Sequence, residues 1–311
     1  MRDRTPIWTC LVLLSAIIVA SVPRPAQAQV KVGDFITADQ AEKVKNLLPP
    51  GAYWRVTHGM TIKVAPTDRI DWPPPYREAT EKYSAQVRLS PDHRTLVGYV
   101  AGEPFPLLDP NDPDMATKVM WNNTFRPMWS DDVDARYFGC HMVYEEKNAP
   151  FFERDFTLVG HYMIYNLVGR TEVEPLPIDP DFKISNRLSM MALHPVLAPQ
   201  ESRGAGLIRY RYQDPKRGDD AWTWLPGARR VRRLNETMMS HGGKNQFYPD
   251  DYEGFSAKNE NYDWKFLGEK QMLGAVNLSQ VPGNICQTDG GGSVCPAEWQ
   301  MRHVYIIEGV P

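Results

Sequence analysis

GLIRYRYQD, residues Gly206 to Asp214, decides how the second half of this chain is read. Ile208, Tyr210 and Tyr212 share one parity and Arg209 and Arg211 the other, the period-two alternation of a strand with two unlike faces. The same texture begins at Asp134 and recurs in DARYFGCHMVYEE, FTLVGHYMIYNLVGR, NRLSMMALHPVL, AWTWLP, RRVRRL, YDWKFLGEK and MRHVYIIEG. The connectors PKRGDD and LPGA are short and turn-like, so these strands are expected to neighbour one another in an antiparallel meander, not a βαβ array.

WTWLPGARRVRRL, Trp222 to Leu234, then reads as a hairpin. Trp222 and Trp224 share a face, Pro226-Gly227 turns the chain, and the return strand puts Arg229, Val231 and Arg233 on one side and Arg230, Arg232 and Leu234 on the other. No face consists of arginine alone, so the basic run reads as exposed or acid-paired strand residues. Arg230 and Arg232 are candidates for contact with anionic headgroups or a partner.

Upstream the pattern is helical. TADQAEKVKNLL (Thr37–Leu48) has Thr37 as a cap, apolar residues at helical spacing and Pro49-Pro50 as a stop. YWRVTHGMTIKV (Tyr53–Val64) is rich in aromatic and β-branched residues and reads as a hairpin with Gly59 at a turn or bulge. A second helix is expected from the prolines of DWPPPYREATEKYSAQV, and a third over DPDMATKVMWNNTF with Asp112 as its cap and Pro113 in the first turn. The chain is thus expected to be mainly β with helices, α+β in class: a signal segment over 1–28, then one domain over 29–311 whose helix-rich part (29–130) precedes an antiparallel sheet (131–311).

The N-terminus carries Arg2 and Arg4, an apolar run from Ile7 to Val22 and Ala26-Gln27-Ala28, the form of a cleavable secretory signal. Export to the periplasm is the expectation, with association to the outer membrane as a further step. The formal charge of −3 becomes more negative once Arg2, Arg4 and Arg24 leave with Asp3, which argues against a nucleic-acid partner. In an oxidising compartment Cys286 and Cys295, which bracket CQTDGGGSVC, are candidates for a disulfide, and Cys140 reads as a small buried residue.

No nucleophile motif, phosphate-binding glycine loop or zinc helix is present, and the seven histidines are dispersed, so neither catalytic residues, a metal nor a cofactor is expected. Among the acidic clusters, DPNDPD reads as helix capping and not an EF-hand loop, and SDDVD and YPDDYE carry no sign of an acid–base division. Nine tryptophans and fourteen tyrosines, many on strands beside methionines, are more informative. They line either an ordinary core or a cavity for an apolar ligand, and the cavity positions expected are Tyr162, Ile164, Met190, Ile208, Tyr210, Tyr212, Trp222, Trp224 and Tyr305.

Trp222-Thr223-Trp224-Leu225-Pro226, the arginines 229, 230, 232 and 233, and Tyr262-Asp263-Trp264-Lys265 with Leu267-Gly268 resemble an exported bacterial family known as domain of unknown function 1329, described as outer-membrane lipoprotein-sorting-like. WPPPYREATEKYSAQVRLS, LVGYVAGEPFP and YNLVGRTEVEPLPIDPDF are similar to it too. The family has no agreed activity, and it looks related to the LolA/LolB type of periplasmic lipoprotein carrier. That relation implies a strongly curved, incompletely closed antiparallel β-barrel covered by helices around an apolar cavity. Family members commonly continue with more strands beyond MRHVYIIEG, so a C-terminally shortened barrel with an open edge is expected here.

The function expected from these features is a carrier or chaperone, not an enzyme, for a lipid, a lipoprotein acyl chain or another hydrophobic molecule moving towards the outer membrane. An inner-membrane exporter and an outer-membrane protein are its expected partners. The alternative is a non-carrier periplasmic subunit of a transporter or outer-membrane complex.

Overall fold

The computed structural model describes residues 30–144, 153–234, 254–276 and 298–311. Its N-terminal part comprises β1 (Phe35–Ile36), a 3₁₀ helix (Ala38–Leu47), α1 (Pro50–Thr57), β2 (Ile62–Val64), α2 (Pro74–Tyr83), β3 (Arg88–Leu89), β4 (Leu96–Val97) and α3 (Met115–Thr124). Then come β5 (Asp132–Tyr144), β6 (Glu153–Asn166), the single turn α4 (Phe182–Ser185), β7 (Arg187–Ala198), β8 (Gly206–Tyr212), β9 (Asp220–Leu225), β10 (Arg230–Leu234), β11 (Asp263–Val276) and β12 (Glu298–Val310).

Six of these strands form one antiparallel sheet in the order β10-β9-β8-β7-β6-β5, the meander expected from the short connectors. A four-stranded sheet, β1-β2-β12-β11, combines the N-terminal strands with the last hairpin, and β3 and β4 make a small ribbon. Strands dominate, and the antiparallel sheets are not closed into a barrel. In the four-stranded sheet β2 lies parallel to β12, pairing Lys63 with Glu298 and Val64 with Trp299.

The N-terminal helical layer packs on that sheet. Ile36, Ala41, Val44, Leu47, Val56, Met60, Ile62, Val64 and Leu273 form one buried cluster, with Tyr53, Trp299 and Met301 packed against it. Ala41, Val44 and Leu48, the periodic positions read from the sequence, are buried in this cluster, although the backbone winds as a 3₁₀ helix that ends at Leu47 and the Thr37 side chain makes no capping bond. The expected hairpin over 53–64 is instead a helix followed by a strand. Pro50 sits at the first helical position, where its missing N–H costs nothing. The helix then ends in a Schellman turn: Gly59 at φ +105° donates to the Val56 carbonyl and Met60 to that of Arg55. The glycine read as a turn is thus the end of a helix.

The two other helices lie where the sequence placed them, with one shift. α3 starts at Met115, two residues later than expected, because Asp112 closes a turn on the Asp114 N–H (2.8 Å) and an ion pair with Lys118 instead of capping the helix directly.

Alternation in the meander separates two faces. Tyr165, Met190, Tyr210 and Asp220 are successive register partners across β6–β9. This face carries guanidinium–aromatic pairs: Arg170 over Tyr165 at 4.8 Å, Arg187 over Tyr210 at 4.0 Å, and Arg217 over Tyr212 at 3.4 Å. Asp220 is also bonded by Tyr212 (2.8 Å), Arg217 (3.2 Å) and Arg233. The opposite face lies under α3 and residues 254–261.

Two carboxylates tied to the aromatic face set an acid limb of stability. The Tyr165 hydroxyl holds Asp179 below its ordinary value, overcoming burial. Burial raises Asp220, but the bonds from Tyr212, Arg233 and Arg217 outweigh it and the net shift is downward. A depressed folded pKa contributes stability that is complete above the unfolded value, 3.8, and is lost as pH falls through the lower folded value. Thermal melts from pH 6 to pH 2 are expected to show a limb falling below about pH 4 that flattens in the D179N/D220N double variant. A limb of unchanged slope in that variant would refute the assignment.

Candidate functional site: a crevice on the covered sheet face

Two rows of register partners floor the covered face: Asn166, Ser189 and Arg211, and beside them Ile164, Met191, Arg209 and Ala221. Over them run the C-terminal half of α3 with the following residues to Ser130, and a strap of residues 254–261. Three adjoining compartments of about 130, 150 and 140 Å³ open between these layers, and Thr124 and Arg211 line all three.

The first compartment is walled by Tyr99, Trp121, Phe125, Phe182, Leu188 and Asn259 among others. Its aromatic wall follows from helix geometry. Trp121 and Phe125 are four residues apart on α3 and stack at 6.0 Å, and Tyr99 stacks on Phe125 at 3.9 Å. The second compartment lies over Ile164 and Met191 and is bounded by Trp129, Phe255 and the arginines 126, 209 and 211. Arg211 is held by Asp219 at 2.8 and 3.0 Å. The third reaches Tyr76, Asp131 and Gly169.

The strap is fastened by its own side chains. Lys258 donates to the carbonyls of Asp214 and Arg217 in the β8–β9 turn, Asn259 Nδ2 donates to Thr124 Oγ1 on α3 at 2.8 Å, and Trp264 Nε1 donates to the Asn259 carbonyl at 2.9 Å. On the far side, Asp131 accepts the backbone N–H groups of Thr171, Glu172 and Val173 at 2.6–2.9 Å. Arg170, 1% exposed, pairs bidentately with Asp132 at 2.8 Å and donates to the carbonyls of Asn166, Val173 and Pro175. SDDVD, in which the sequence showed no acid–base division, is therefore what holds the 170–175 loop beside the crevice.

Several polar atoms at the crevice are buried without a hydrogen-bond partner among the described residues: Tyr76 Oη, Trp121 Nε1, Trp129 Nε1 and Asn259 Oδ1. Tyr76 and Asn259 are 2% and 3% exposed and Trp121 8%. Burial, then the charge of Glu103, pushes the Tyr76 phenol well above its ordinary range, and burial does the same to Tyr99, so both stay neutral. Such groups cost free energy when left unpaired, and native proteins keep few of them.

Of the cavity positions expected from the sequence, Ile164 lines the crevice, and Tyr212, at the end of β8 with its ring against Arg217 and its hydroxyl on Asp220, borders the first compartment. Tyr162 is buried behind it, stacked on Phe138 at 5.0 Å and near Trp129 at 6.3 Å. Met190, Ile208, Tyr210, Trp222 and Trp224 stand on the opposite face, Tyr210 and Trp222 edge to face at 5.5 Å. Tyr305 lies in the other sheet against Phe266. Arg230 and Arg232 are exposed on β10, the outermost strand of its sheet among the described residues, whose partners place Val231 and Arg233 with Trp224 and Trp222 as the alternation required, while Arg229 belongs to the turn before it. Cys286 and Cys295 lie outside the described residues. Trp121, Phe125, Tyr99 and Asn259 were not anticipated, although the Trp121/Phe125 spacing marks an aromatic stripe on α3.

Among the described residues no group of three or more His, Cys, Asp or Glu is placed to hold a metal, and no helix is long and apolar enough to cross a membrane. No curated protein matches the chain. Two solved structures are similar to parts of it. A DUF1329 family protein from Desulfovibrio piger is 15% identical with a TM-score of 0.31, over 46% of this chain and 50% of that one. A putative outer membrane lipoprotein-sorting protein domain from Vibrio parahaemolyticus is 17% identical with a TM-score of 0.29, over 59% and 54%. The chain thus spans about half the length of each. The family model described as "Protein of unknown function (DUF1329)" matches residues 35–311, nearly the whole of the described fold, and the chain belongs to that family.

Proposed function

We propose that the protein is a periplasmic carrier that holds a hydrophobic molecule, a lipid or a smaller apolar compound, in the crevice between α3 and the six-stranded sheet, for transfer towards the outer membrane. The observation that carries this reading is the crevice itself: a cavity between a helix and a sheet, walled largely by aromatic and aliphatic side chains with a few polar groups among them, the composition of a small-molecule site. Each CH₂ moved from water onto such walls is worth about 0.8 kcal/mol, so holding the ligand needs shape and apolar surface and no catalytic step. The signal-like N-terminus supports export. An inner-membrane exporter and an outer-membrane acceptor are the partners this role requires.

Native mass spectrometry and solvent extraction of protein purified without detergent test the reading. The expected result is a hydrophobic small molecule in stoichiometric amount. Protein that is empty in repeated preparations, and that takes up no apolar compound when offered one, would overturn it.

The alternative, a non-carrier subunit of an envelope complex, is favoured by one feature: β10, the outermost strand of its sheet among the described residues, with Arg230, Val231 and Arg232 exposed. It requires a stoichiometric protein partner and an empty crevice.

A further inference from the structure

The strap that covers the crevice is fastened differently from its other walls. Phe255, near the start of the strap, packs edge-on against Tyr262 at 5.3 Å and Trp264 at 5.0 Å, just past its end, and those two rings stack at 5.2 Å. The segment thus returns to its own origin with its aromatic side chains packed on one another, as an Ω-loop does. Trp264 seats this cluster on β12 against Gly309, where a side chain would collide with the ring. Within the segment the Asn261 N–H donates to the Lys258 carbonyl at 3.2 Å, and the Tyr262 N–H (3.1 Å) and Trp264 Nε1 both donate to that of Asn259. Residues 258–264 therefore hold their shape through their own bonds.

The tip, by contrast, is held to the domain by polar bonds. The buried residues of the strap are Lys258 and Asn259, and no apolar residue of 254–261 is fully buried. Lys258 gives its ammonium to the carbonyls of Asp214 and Arg217, with no carboxylate on it among the described residues, Asn259 is bonded to Thr124, and Arg94 Nη1 donates to the Glu260 carbonyl at 2.9 Å. Such bonds are exchanged for bonds to water when they part, so each resists opening only modestly, and a buried ammonium regains its hydration. The 170–175 loop on the far side is instead locked by the buried Arg170–Asp132 pair and the bonds into Asp131. Phe255, Ser256 and Ala257 line the second compartment, and Ala257 to Glu260 line the first. We propose that the strap is the door of the crevice: residues 254–261 swing as one piece on the Phe255–Tyr262–Trp264 cluster when the bonds of Arg94, Lys258 and Asn259 part, and the ligand passes beneath them. The proposal rests on the carrier reading and adds a gate to it. Lids of this kind are drawn from the segments of lowest local stability.

Arg94 lines none of the three compartments, so Arg94→Ala loosens the latch without reshaping the walls. Lys258 is itself the reporter in the full chain, because its buried amine meets N-hydroxysuccinimidyl acetate when the strap lifts, whereas Lys45 is exposed throughout. Peptide mass spectrometry is expected to find Lys258 acetylated about fivefold faster, relative to Lys45, in R94A and in N259A than in the wild type, the effect of losing one such bond. Circular dichroism checks that each variant is folded. Stopped-flow mixing with N-phenyl-1-naphthylamine, which brightens in apolar surroundings, is expected to show association and release accelerated by a similar factor while the Kd moves less than about threefold, since a latch sets the barrier and not the walls. Lys258 reactivity unmoved in folded R94A overturns the door and leaves the carrier reading standing. So does a change confined to affinity. If the probe does not bind, the gate falls, and the extraction experiment above decides separately whether the carrier reading falls with it.

Discussion

Arg170→Met is expected to lower the unfolding free energy by about 3 kcal/mol, the lower end of the range for breaking a buried ion pair, since Asp132 keeps some exposure. Every guanidinium N–H of Arg170 is used, two on Asp132 and the others on backbone carbonyls of Asn166, Val173 and Pro175. Methionine fills part of the volume but strands the Asp132 carboxylate and those carbonyls together. The loop they hold brings Thr171 to the wall of the third compartment beside Gly169 and Asp131, so the variant should also lose ligand. Denaturant melts followed by tryptophan emission measure the first effect, with a shift in thermal midpoint of roughly 10 °C for a chain of this size. A loss under about 1 kcal/mol would mean that the pair is not buried as described.

Ile62→Ala is the second large effect, about 3–4 kcal/mol. Ile62 is fully buried at the centre of the N-terminal cluster, opposite Ile36 on β1 and one residue before the β2–β12 pairing. Deleting its branched chain leaves a cavity bounded by a strand, a helix and the last hairpin, elements that cannot close in together. Ile62→Val is expected to cost about 1 kcal/mol, and Val231→Ala, on the exposed edge of the other sheet, under about 0.5 kcal/mol. Equal effects of I62A and V231A would contradict the placement of the core.

Much of this architecture was legible in the sequence because alternation and turn chemistry are local. Strand positions, the meander and the division of WTWLPGARRVRRL between two faces all followed from period-two parity and short connectors. α1 was misread because Tyr53, Trp54 and Val56 favour a strand by propensity, while the stronger signals were Pro50 in a first turn and Gly59 as a helix stop. The crevice was harder to read for a different reason. Parity shows that a strand has two unlike faces but not which of them another element covers, and residues 254–261, distant in sequence, cover the face of Arg209 and Arg211. Apolar content pointed to the tyrosine face instead. Arginine stems can line a covered face as well as aliphatic chains do, so hydrophobicity along a single strand was a poor guide to its interior side.

The parallel contact of β2 with β12 gives the two sheets unlike assembly requirements. Every strand of the six-stranded sheet lies between residues 132 and 234, and each pairs with its neighbour in sequence, so its ladders close through local connections, the longest of them residues 167–186, at small entropic cost. The four-stranded sheet joins Val64 to Trp299. The aliphatic cluster it shares with the N-terminal helices therefore depends on contacts of high sequence separation, the kind that raise contact order and slow folding. Local pairing builds the wall of the crevice, and the longest-range pairing in the fold joins the layer that carries its principal aliphatic core.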